Sequence, residues 1–178
     1  MLVATRVQVC PWGLREAPMD SRAVFGLSVL MSFVAFGLVT TRYIVPHLRP
    51  RPRSDALLPL VVPHAFRFIG LSFLVPGVVS PALPRVWAAP AAYGDLGAAV
   101  LAVVAAVALI RRLPVAIGLV WVFNLWGAAD LLYAFYQGLR MGLDAAAYGA
   151  AFFIPTVVVP PLLVTHGLIF WLLLRSSA

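Results

Sequence analysis

The stretch AAYGDLGAAVLAVVAAVALI, Ala91–Ile110, carries a single carboxylate, Asp95, in an otherwise uncharged run, and its reading decides the fold. A helix of this length rises about 30 Å, the thickness of a bilayer's hydrocarbon core, and in lipid only a helix satisfies its own backbone polar groups. Along it Gly94, Ala98, Ala102 and Ala106 recur every four residues, a smooth stripe that admits a neighbouring backbone. This helix is expected at the centre of a bundle.

Similar runs flank it at about 23–44, 62–80, 114–137 and 148–174. The chain therefore reads as an all-α integral membrane protein, a bundle of five transmembrane helices over residues 23–175, preceded by an N-terminal tail, residues 1–22. Composition agrees, with 63% hydrophobic and 11% charged residues. The tail has no basic segment ahead of a long apolar one, so it does not read as a cleavable signal peptide. A net charge of +7 would suggest nucleic acid in a soluble chain; here the arginines fall mainly between apolar runs, and no nucleic-acid partner is expected. Cys10 is the only cysteine, which excludes an internal disulfide and a CxxC motif.

All 13 basic residues are arginine, and with abundant Ala and Pro this suggests a GC-rich bacterial genome. The arginines also set an orientation. Arg49, Arg51, Arg53, Arg111, Arg112 and Arg175, with Arg42 at the edge, gather on one side; Arg85, Arg140 and the tail lie on the other. By the positive-inside rule the first side is cytoplasmic, giving an inner-membrane protein with its N-terminus outside and C-terminus inside. The segment LRPRPRSD, Leu48–Asp55, alternates Pro with Arg and reads as extended, with Arg49, Arg51 and Arg53 lying on anionic lipid headgroups.

Seven polar residues inside the spans are the candidate site: His64, Arg67, Asp95, Asn124, Asp130, Thr156 and His166. His64 and Arg67 occupy the first turns of the second span, and His166 lies about two turns from the end of the fifth, so these three are expected in the cytoplasmic leaflet. Arg67 is placed to snorkel to the interface. The histidines fit three uses: interhelical hydrogen bonds, axial ligation of a b-type haem by His64 and His166 with Gly70 and Gly167 giving room, or a divalent-metal site completed by His47. Asp95 and Asp130 are expected in the opposite leaflet, bonded to interfacial tyrosines or paired with Arg85 or Arg140. In the fifth span Pro160 and Pro161 remove donors for the carbonyls of Thr156 and Val157, which Asn124 is placed to satisfy. A sharper reading joins Asp130, Asn124 and that broken helix into a polar path from the outer face to mid-membrane, as in transporters. Five helices are few for a transporter, so transport would need a homo-oligomer. No HExxH, GxSxG or Walker sequence points to an enzyme.

The blocks HAFRFIG, YGDLGAA, FNLWGAADLLYAFYQG and FFIPTVVVPPLLVTHGLIFWLLLR, over about Val62 to Arg175, resemble a group of small, uncharacterised bacterial membrane proteins. That resemblance implies no activity. RFIGLSFLVPG, Arg67–Gly77, is more weakly similar to DoxX-type proteins, small bundles linked to quinone or thiol redox systems; the rest of the chain departs from them and has an additional span. The functional expectation is a small-molecule- or lipid-binding membrane protein, a transport or accessory subunit, with a haem- or quinone-linked redox protein and a purely structural subunit as alternatives.

Overall fold

A computed structural model describes residues 20–175. The expectation for the N-terminal tail lies almost wholly outside these residues.

Five helices are long and apolar enough to cross a membrane: α1 (Ser21–Leu48), α2 (Arg53–Leu74), α3 (Arg85–Ile110), α4 (Ala116–Arg140) and α5 (Ile154–Leu174). The chain is a multi-pass, all-helical membrane protein. Helices α2, α3, α4 and α5 close a ring in which each packs on the next, and α1 docks outside it along α5. The small-residue stripe does what its spacing implies. Ala98, Ala102 and Ala106 are buried, and α3 lies between α2 and α4.

Two ends follow from the connections. Residues 49–52, 111–115 and Arg175 form an arginine-rich end, where Arg53 donates to the Arg175 carbonyl. At the opposite end Ser21 donates to Asp144 (2.7 Å), tying the start of α1 to the α4–α5 connection. The Ser21 hydroxyl and the Ala147 N–H together hold the half-buried Asp144 carboxyl below its usual range.

Several boundaries differ from the sequence reading. α1 runs through Pro46 to Leu48, with a widened turn over Thr40–Ile44 just ahead of the proline. α2 starts at Arg53, because Pro52 sits at the N-cap position and Pro59 is accommodated within the helix. The expected extended arginine–proline segment therefore shrinks to a turn; Arg49 and Arg51 are exposed there, whereas Arg53 is half-buried at the end of α5. Arg111 and Arg112 close α3 with paired backbone bonds, Arg112 N–H to Leu109 and Leu113 N–H to Ala108. This puts Arg112 at φ +52°, a position that usually takes glycine.

The second half of α2, Val62–Leu74, winds as a 3-10 helix. Three residues per turn bring every third side chain onto one line, whereas in an α-helix such a row drifts by about 60° at each step. The four buried residues of this segment are His64, Arg67, Gly70 and Phe73, spaced by three. The tight winding thus presents a straight row of two polar groups, a gap and a ring to the interior.

Candidate functional site

Buried apolar residues form two clusters with a polar layer between them. The cluster at the arginine-rich end holds Leu57, Val61, Ala105, Val120, Phe123 and Ile169. The other holds Phe73, Trp87, Ala92, Leu131, Tyr148 and Leu162. On each of α2 to α5 the polar site residues fall between the two: His64 and Arg67, Asp95, Asn124 and Asp130, and His166.

Arg67 is the hub, at 1% exposure. Its Nε donates to Asp95 Oδ1 (2.7 Å), its Nη2 to Asp130 Oδ2 (2.6 Å), and its Nη1 to the Gly127 carbonyl (3.0 Å). Three helices are thereby joined through one guanidinium, whose planar fork suits such convergence. The expected snorkelling of Arg67 does not occur, and the two carboxylates do not pair with Arg85 or Arg140 in a separate outer layer. Depth explains both corrections. With α2 starting at Arg53, Arg67 lies well past its midpoint, and Asp95 and Asp130 each lie ten residues inside an end of α3 and α4. The guanidinium is too deep to reach the surface and meets the carboxylates in the middle.

The two imidazoles do come together, as the expectation of a shared level requires, but at mid-depth. Their ring centroids are 4.2 Å apart, and Phe123 packs on both. Asn124 fixes His166 twice: its Oδ1 accepts from Nδ1 (2.6 Å) and its Nδ2 donates to the His166 carbonyl (3.3 Å). Thr165 Oγ1 donates to the Leu162 carbonyl and so accepts from His64 Nε2 (2.9 Å). Each ring is left with one buried acceptor nitrogen, His64 Nδ1 and His166 Nε2, that meets no hydrogen-bond partner among the described residues.

Asn124 does not reach the carbonyls of Thr156 and Val157. α5 starts at Ile154 and takes up its prolines with a widened turn over Ile154–Val158, so Thr156 lies near the helix start, about 15 Å along the axis from His166. The buried Thr156 hydroxyl donates instead to Phe152 (2.7 Å). His47 is exposed at the end of α1, its ring on the Tyr43 carbonyl, so the three histidines do not converge. Among the described residues no three His, Cys, Asp or Glu side chains gather as a metal site. A haem iron between two imidazoles needs two metal–nitrogen bonds of about 2 Å on opposite faces of a macrocycle. Rings with centroids 4.2 Å apart leave no slot for that plane.

Glycines provide the room that the ion cluster occupies. A Cβ on Gly70 would run into Asp95 and one on Gly94 into Asp130, while one on Gly127 would lie 2.7 Å from His166 Cε1 and 2.8 Å from Arg67 Nη1. Gly94 therefore serves the Asp130 carboxylate rather than only helix approach, and Gly167, expected to give room, faces open space. Gly127 escapes sequence reasoning, although a glycine three residues before Asp130 is the available signal.

A crevice of about 40 Å³, lined by residues of all five helices, reaches Asp95 and Asp130. Its walls include Phe25, Phe73, Trp87, Phe135 and Tyr148. One water needs roughly 10–15 Å³ of such space, so the crevice admits a few waters or a slender group.

Residues 24–174 match the model of a protein family described as a domain of unknown function, DUF8737. The chain belongs to that family. No curated protein and no solved structure matches the chain. This DUF8737 member carries its buried polar chemistry in the polar layer and in the crevice that reaches it.

Proposed function

We propose that the protein binds a small molecule in the crevice above Asp95 and Asp130 and serves as a transport subunit of the bacterial inner membrane, working as a homo-oligomer. The observation that carries this reading is the asymmetry about the polar layer. On one side a crevice leads down to two carboxylates; on the other, Leu57, Val61, Val120, Phe123 and Ile169 pack as a solid apolar plug. A polar centre open to one face and sealed from the other is the arrangement that alternating access requires. The arginine bias makes the sealed face cytoplasmic and the crevice outward-facing, with Arg49 and Arg51 on anionic headgroups.

The test is ligand-induced stabilisation. Short-chain aliphatic molecules that are neutral, cationic or anionic are screened against purified protein, and against Ala134→Trp, which fills the crevice wall. The reading requires at least one class to raise the melting temperature of the wild type and not of the filled variant. A screen in which nothing stabilises, or in which the filled variant responds equally, would overturn it.

A further inference from the structure

Resting on that reading of the crevice, we infer that its ligand is a slender organic cation, a protonated amine on a short apolar chain, and that it displaces one proton held by the Asp95–Asp130 pair.

One guanidinium faces two carboxylates, so the cluster carries one negative charge in excess. It lies midway between two apolar layers, where an unbalanced charge is strongly disfavoured. Balance needs one proton or one cation.

The imidazoles are the other groups facing the cluster, His64 from α2 and His166 from α5, and they do not supply that balance. His166 Nε2 and Arg67 Nη1 lie within 2.8 Å of one point above Gly127, so an imidazolium there would sit beside the guanidinium. His64 packs directly on His166 and bonds to Thr165, away from both carboxylates. The balancing charge belongs at the carboxylates. Asp95 Oδ2 and Asp130 Oδ1 accept no hydrogen bond from the described residues, so each pair member keeps a free oxygen.

Three of the five N–H groups of Arg67 donate, to Asp95, Gly127 and Asp130, and its single positive charge is outnumbered by the two carboxylates, so the charge of the site disfavours an anionic ligand. The crevice therefore ends on acceptors and excess negative charge. Its wall is a series of aromatic rings in contact: Phe73 on Trp87 (5.1 Å between centroids), Trp87 on Tyr148 (5.4 Å) and Tyr148 on Phe25 (5.4 Å). Aromatic faces attract cations, most of all away from water, and receive an apolar body equally well. A carboxylate at the end of an aromatic channel selects for the two properties together.

The exchange balances. The O–H bond of the protonated carboxyl breaks, the proton leaves to solvent through the crevice, and the carboxylate pairs with the incoming cation. No electrons move, and the cluster's net charge is unchanged.

The experiment uses propylammonium, slender enough for the crevice and fully protonated at neutral pH, and 1-propanol, its neutral counterpart of the same chain length. Binding to the full chain in lipid nanodiscs is followed by calorimetry in two buffers of different ionisation enthalpy, which counts protons. The expected result is binding of the cation with release of one proton, and binding of the neutral molecule weaker by about tenfold or more without release. Asp130→Asn leaves Arg67 with Asp95 and a balanced cluster, and should lose both the cation's binding and the proton release. Equal binding of the two molecules would overturn the cation assignment while leaving a small-molecule crevice intact. Cation binding without proton release would overturn the exchange. If neither binds, and Ala134→Trp also shows no difference in the wider screen, the crevice reading falls as well. The two wild-type measurements decide the matter even if Asp130→Asn does not fold.

Discussion

Gly127→Ala tests the packing of the polar layer most sharply, because the same helix carries its own control. At Gly127 an added Cβ lies 2.7 Å from His166 Cε1 and 2.8 Å from both His166 Nε2 and Arg67 Nη1, well inside the 3.4 Å where ordinary contact begins. The imidazole has little freedom to retreat, since Asn124 holds it at 2.6 Å and the His64 and Phe123 rings pack against it. Moving Nη1 weakens the guanidinium's bond to the Gly127 carbonyl, about 1.5–3 kcal/mol for a charged hydrogen bond. Overpacking adds about 1–3 kcal/mol, and the better helix propensity of alanine offsets roughly 1 kcal/mol. The net expectation is a loss of about 1.5–5 kcal/mol. At Gly118, also on α4, an added Cβ meets nothing within 4 Å, so Gly118→Ala should stabilise by about 0.5–1 kcal/mol. Equilibrium unfolding in mixed micelles measures both. Shifts of the same sign and size would refute the packing argument.

Further expectations follow from the same geometry. Asp95→Asn or Asp130→Asn alone leaves Arg67 paired and should change stability little, whereas the double variant strands a buried guanidinium and should lose about 3–5 kcal/mol, a non-additivity that a double-mutant cycle in micelles would read. Spin labels placed one at a time along residues 64–74 in a Cys10→Ser background should show collision with lipid-dissolved oxygen at Phe66, Phe68 and Ile69 and protection at Gly70 and Phe73; a period of 3.6 instead of 3 would contradict the 3-10 winding. Arg112→Gly relieves a positive φ at the end of α3 and should stabilise by about 1 kcal/mol, because the exposed pair it gives up with Asp55, at 3.9 Å, contributes little. Ser21→Ala removes the main cause of the depressed Asp144 pKa, so the carboxyl should titrate at higher pH by carbon-13 NMR. A depressed folded-state pKa adds stability above the unfolded value that is lost as pH falls through the folded one, so the variant should also lose less stability on acidification.

Much of this protein is legible in its residues, and the parts that are not share one cause. Apolar run lengths identify five spans, and the four-residue spacing of Gly94, Ala98, Ala102 and Ala106 identifies the central helix. All seven polar candidates prove to be at least partly buried. What fails is depth. Taking the second span from Val62 rather than Arg53 moves Arg67 toward the surface, because Pro63 is read as a start where the helix passes through it, and taking the fifth from Tyr148 rather than Ile154 moves Thr156 toward the middle, because Pro155 is read as interior where it lies in the first turn. From that displacement come two separate polar lobes where the molecule has one layer. The alignment of His64, Arg67, Gly70 and Phe73 is not visible to α-helical periodicity at all, since it depends on the tighter winding.

Solid-state NMR of the protein in lipid bilayers, with nitrogen-15 in the arginine side chains and carbon-13 in the aspartate carboxyls, measures the central contact directly. With Arg67 Nε and Nη2 at 2.7 and 2.6 Å from the carboxylate oxygens, strong dipolar dephasing is expected at two carboxyl carbons. It should fall to one in Asp130→Asn and vanish in Arg67→Met. Carboxyl signals that ignore the arginine nitrogens in the wild type would contradict the single buried layer on which the proposed site depends.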